Sequence, residues 1–184
     1  MPIPLDDVAR APTVPTAPTK DPLRAIAAQL SSPGVNMGML AALRRFNPVS
    51  DGQHSVFEVQ QVLLGAGLDL PASSPAQPHW ALVVHCLAIV RGAHHDQRDT
   101  GARLADLGLS EARVRQLIEA DGPLLVDLLP ALARRLAAAG VTLNWWPLAL
   151  LVLSIDDAEP ARGQAARREI AQGFISATVA KASA

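Results

Sequence analysis

LLVDLLPALARRLAAAGVTLNWWPLALLVL, residues 124–153, is the stretch on which the fold turns. Its leucines and alanines recur at helical spacing up to Gly140. Glycine there suits the left-handed residue that so often ends a helix. A short polar turn, Thr142-Leu143-Asn144, leads to Trp145 and Trp146. A second apolar helix restarts at Pro147, where a missing N–H is harmless. Pro130 lies inside the first of these helices and implies a kink. The tryptophans read as core anchors for the restart rather than as an exposed platform for bases. Two apolar helices in succession must bury their faces against other elements, which points to packed helices. Arg134 and Arg135 set permanent cations beside this core element, within reach of a polyanion.

Composition supports helices. The 184 residues are 49% hydrophobic but only 3% aromatic, with no Tyr, so the core is aliphatic. Leu and Ala favour helix over strand. The formal net charge of -1 does not advertise nucleic-acid binding. The kind of cation is more telling. All basic residues except Lys20 and Lys181 are Arg, whose planar fork of donors matches phosphate bidentately. Codon bias towards GC-rich triplets, which also raises Ala, Gly and Pro, accounts for the same excess without function. Cys86 is the only cysteine, inside the apolar run WALVVHCLAIV, and reads as a buried, inert thiol. There is no basic-then-apolar signal at the N-terminus, and no apolar run of membrane-spanning length. A cytoplasmic protein is expected.

Working outward, residues 1–19 carry Pro2, Pro4, Pro12, Pro15 and Pro18 and read as a disordered leader. Residues 20–184 read as one helical domain, or as two small halves meeting near 69–78 or 92–100. Asp21 is placed as the cap of a first helix, with Pro22 at its first position. Asn36 caps a second, MGMLAALRRF, ended by Asn47-Pro48, and Ser55 caps a third. Residues 69–78 form a loop before a helix over 79–94 that is apolar nearly all round and so central. A short helix follows at 102–107. Ser110 caps the next, and Gly122-Pro123 separates it from the long helix ending at Gly140. Asp156 or Asp157 opens a weakly amphipathic last segment. The expected fold is an all-α bundle of about seven to nine helices, without a sheet.

Three constellations bear on function. Arg91, His94, His95 and Arg98 share a face if the helix persists past Gly92, with Arg103 extending the stripe. His94-His95-Asp96 are consecutive, so their side chains diverge and make a poor metal site. The arginines Arg44-Arg45, Arg113 and Arg115, Arg134-Arg135 and Arg167-Arg168 form a second set. In an adjacent pair, one arginine can face solvent while the other sits at the edge of the buried face. Such cations could form ordinary surface ion pairs, worth roughly 0–1 kcal/mol each, or a basic surface for phosphate. Trp145-Trp146 is the third. There is no nucleophile elbow, Walker loop, zinc-protease motif or dinucleotide fingerprint, so nothing argues for an enzyme or a cofactor.

The order of these pieces resembles the CasB family, the small subunit of Cascade, the type I-E CRISPR surveillance complex. The matching pieces are MGMLAALRRF, PHWALVVHCLAIV, GARLADLGLSEARVRQLIEAD, LLPALARRLAAAGVTLNWWPLALLVL and the ARREIAQGFIS tail, together covering roughly residues 20–178. The resemblance implies an all-helical, non-catalytic protein. It implies two copies head to tail against the backbone and large subunits, helping to hold the guide RNA–target DNA duplex and the displaced strand. By position it assigns nucleic-acid contact to Arg44, Arg45, Arg91, Arg98, Arg113, Arg115, Arg134 and Arg135. The chain departs from the family in its slightly acidic balance and in Ile170, where an aromatic is expected. Two other readings remain beside this one: a helical protein–protein adaptor whose arginines are ion-paired, and a metal-dependent enzyme using His94, His95 and Asp96.

Overall fold

The computed structural model describes residues 20–46, 56–71, 73–120, 122–155 and 161–183. The leader, Asn47-Pro48, Ser55 and Asp156-Asp157 lie outside the described residues, and so do the expectations placed on them. Among the described residues there are nine helices and no strand. They are α1 (Lys20–Ser31), α2 (Met37–Arg45), α3 (Val56–Gly65), α4 (Ala76–Ile89), α5 (Thr100–Asp106), α6 (Glu111–Glu119), α7 (Gly122–Ala139), α8 (Trp146–Leu153) and α9 (Ala161–Ala182).

Short polar side chains start several of them. The Asn36 Oδ1 accepts from the Gly38 and Met39 amides at 2.9 and 3.1 Å. Ser110 Oγ accepts from Arg113 N at 3.4 Å. Asp99 Oδ1 accepts from Ala102 N at 2.7 Å, so α5 begins two residues earlier than its hydrophobic pattern suggests. Other boundaries shift as well. Asp21 and Pro22 lie inside the first turn of α1, and Gly122 and Pro123 are the first residues of α7 rather than a break before it. Helix α4 starts at Ala76, which puts Pro78 in a first turn that needs no N–H from it. Pro130 is buried within a continuous α7. Gly140 ends α7 with φ 62°, and Val141 N bonds back to Leu136 O at 3.0 Å.

Helix α4 is the spine. From Trp80 to Ala88 every residue is buried. Helices α1, α2 and α3 pack on it, as do α7 and α8. Helix α9 lies instead against α5, α6 and α8. Residues from all nine helices, Leu23 of α1 through Phe174 of α9, join one contiguous apolar core. Trp145 and Trp146 are inside it, as expected, and Cys86 is only 1% exposed. Burial pushes the Cys86 thiol far above its ordinary range, which keeps it protonated and unreactive.

The turn before α8 is tied across the molecule. His95 N donates to Leu143 O at 3.1 Å, Asn144 N to Arg98 O at 2.9 Å, and Thr100 Oγ1 to Asn144 O at 2.6 Å. Asn144 Oδ1 accepts from Trp146 N at 3.0 Å, at the first residue of α8. The polar turn that reads as a simple connector is thus a clamp between residues 93–99 and the last core helix.

Candidate nucleic-acid interface

The adjacent arginine pairs divide their labour. Helices end in carbonyls that lack partners within the helix, and a buried carbonyl left unpaired is costly. Arg44 Nε donates to Ala88 O, at the end of α4, at 2.9 Å, and shares that carbonyl with the Arg91 amide at 3.2 Å. Arg135 Nη2 donates to Leu107 O, just past α5, at 3.2 Å. Arg167 donates through Nε to Ile118 O and through Nη2 to Ala120 O, at the end of α6. Each of these three is half-buried, and each is one member of an adjacent pair. The other members, Arg45, Arg134 and Arg168, are exposed. Neighbouring helical residues point about 100° apart, so a pair at the edge of a buried face sends one guanidinium inward and one out. Arg44 and Arg135 therefore have structural duties, whatever else they touch.

The stripe expected from Arg91 to Arg98 does not form, because α4 stops at Ile89. Arg91 and Gly92 both turn left-handed, with φ 52° and 68°, and Gly92 N closes the end with a 2.7 Å bond to Leu87 O. The close passage of α1 also requires glycine here: a Cβ on Gly92 would overlap the Ala27 carbonyl oxygen. Arg91 and Arg98 are exposed, on a loop whose backbone the α8 clamp holds. His94 turns inward. Its Nδ1 accepts from Trp145 N at 3.1 Å, which leaves the proton on Nε2, 3.3 Å from Asp96 Oδ1. Asp96 in turn takes a 2.8 Å bond from Arg24 Nε. Burial, ahead of the charges of Arg24 and His95, holds His94 below the ordinary imidazole value against the pull of Asp96. His95 Nδ1 accepts from Gln97 N at 3.2 Å. His94 and Asp96 thus face each other while His95 turns to its own loop, and among the described residues no group of three His, Cys, Asp or Glu converges to hold a metal.

Arg113 and Arg135 come together. They line one groove between α6 and α7, of about 230 Å³, with Leu109, Gln116, Leu117, Leu128, Ala131 and Leu132. Arg113, Gln116 and Leu117 share a face of α6, and Leu128, Ala131, Leu132 and Arg135 share a face of α7. Either face is legible by spacing, but their meeting is not, and Gln116 carried no signal. Arg115 points elsewhere and pairs with Glu111 at 2.6 Å. Arg134 lies on the α4 side, where its charge adds to burial in lowering His85, against the 2.7 Å bond of His85 Nδ1 to Leu43 O. Ion pairs account for further cations: Arg24 with Asp21 and Asp96, and Arg103 and Lys181 with Asp106. Arg91, Arg98, Arg113 and Arg134 have no acidic partner within ion-pair distance among the described residues.

Residues 39–174, most of the chain, match the family model for the CRISPR-associated protein Cse2. Searches of curated proteins and of solved structures return no match. No helix among the described residues is long and apolar enough to cross a membrane.

Proposed function

The chain belongs to the CRISPR-associated Cse2 family, the CasB small subunit of type I-E Cascade, and from that premise we propose a non-catalytic role in holding nucleic-acid backbones. In this reading it sits in the cytoplasmic complex beside a second copy of itself, against the backbone and large subunits. There it steadies the guide RNA–target DNA duplex and the displaced strand. The supporting observation is the split within the arginine pairs. Capping arginines fix the helices, and outward ones (Arg134, with Arg91, Arg98 and Arg113) are left on rigid supports, while Arg45 Nε bonds the Ala41 carbonyl of its own helix at 3.2 Å. Exchange of one duplex for another during R-loop formation is nearly balanced, so modest backbone contacts can tip it. Contacts from guanidinium to phosphate are blind to sequence, as this task requires when the guide supplies the specificity.

The test reverses charge at Arg98, Arg113 and Arg134 together and leaves the capping Arg44, Arg135 and Arg167 intact. Single-strand binding is then followed against salt. Each phosphate that the variant no longer neutralises flattens the log–log slope by about 0.7. Unchanged slope, together with unchanged target retention by the assembled complex, would overturn the proposal. The rival reading, a helical adaptor, draws on the ion pairs of Arg24, Arg103 and Arg115. It requires assembly with protein partners and no salt-dependent nucleic-acid binding.

A further inference from the structure

We propose that the groove between α6 and α7 receives one unstacked base of a single strand, with the flanking phosphates on Arg113 and Arg135. This rests on the backbone-holding role above and adds to it a seat for a base. The groove has an aliphatic lining from Leu109, Leu117, Leu128 and Leu132, which suits a flat, poorly hydrated face. Arg113 and Arg135 contribute from opposite helices, and none of the lining residues is acidic, so the site as a whole favours an anion. Arg135 is already fixed by its bond to Leu107 O, so little side-chain freedom is lost when it meets a phosphate. Gln116 is exposed and offers amide donors and an acceptor, which can meet a base edge without demanding one base. The size is right for a fragment: about 230 Å³ falls below the roughly 300–1,000 Å³ of pockets that enclose whole ligands. An aliphatic groove whose lining includes two arginines complements one nucleotide of a polyanion, a poorly hydrated ring face joined to charged phosphates.

The experiment compares full-length protein binding to a short oligo-dT strand and to the same strand with abasic sites, at several salt concentrations. Wild type should hold the oligo-dT about fivefold more tightly, the low end for a seated base because the walls are aliphatic. Ala131→Phe, at an exposed position, fills the groove and should erase that difference. Ala131→Ser should keep the difference, which separates filling from misfolding. Equal binding of both strands by wild type, with a normal salt slope, overturns the base seat and leaves the backbone role standing. Absence of salt-dependent binding to either strand overturns both. If Ala131→Phe blocks entry into the assembled complex yet keeps the preference for bases, the groove seats a protein segment and the proposal falls.

Discussion

Helices α4 and α9 are held by opposite means. Helix α4 is apolar on every side, and bulky side chains from five other helices surround it. Helix α9 is the longest element, 22 residues, yet its buried residues are only Gly163, Ala166, Ile170 and Phe174. It gains its place by close approach. A Cβ on Gly101 of α5 would overlap the Ile170 carbonyl oxygen and the Phe174 amide nitrogen. A Cβ on Gly173 of α9 would overlap the Asp99 carboxylate that caps α5. The two helices thus pack backbone against backbone at Gly101, and Gly173 makes room for the Asp99 side chain. A core of side chains can repack, whereas a backbone contact has nothing flexible to move.

That contrast can be broken most sharply at Gly101. Gly101→Ala should cost about 3 kcal/mol, since overpacking against backbone cannot be relieved by a rotamer change. Leu87→Met, a swap of similar volume in the centre of α4, should cost under about 1.5 kcal/mol. Urea denaturation of both variants checks the pair, and equal losses would remove the distinction. The next effect lies where α9 meets α6. Arg167→Met leaves the Ile118 and Ala120 carbonyls without a donor and should cost about 1–3 kcal/mol, while Arg168→Met should stay within about 0.5 kcal/mol. Reversal of that order would refute the division of labour within the pair.

The gentlest probe is pH, and it acts on the α4 side. Burial holds His85 and His94 below the ordinary value of 6.5. Their contribution to stability is therefore whole above about pH 6.5. It is lost as pH falls below that, because the unfolded chain binds protons that the fold resists. The urea midpoint should drop between about pH 8 and pH 5.5, and less so in His94→Gln. A flat profile would mean that neither ring is held neutral.

Much of this was legible beforehand because it depended on local rules. Asn36, Ser110 and Gly140 mark helix ends by their own chemistry, and the run from Trp80 to Ala88 announces a central helix by lacking a polar face. The adjacent arginines implied one inward and one outward member. Which member turned inward was not legible, because Arg44, Arg135 and Arg167 are chosen by carbonyls 28 to 49 residues away. The stripe from Arg91 to Arg98 failed because local pattern allowed α4 to continue, whereas the chain turns left-handed at Arg91 and Gly92, where α1 passes close by.

By itself, then, the sequence determined helix content, the helix ends at Asn36, Ser110 and Gly140, the buried Trp145-Trp146 restart and the family. Those follow from propensity, periodicity and residue order, which act over a few positions. The tertiary structure alone decided which arginines are structural and which look outward, and that α6 and α7 meet to form a cationic groove. Such outcomes depend on helix-end carbonyls and facing surfaces brought together from distant parts of the chain.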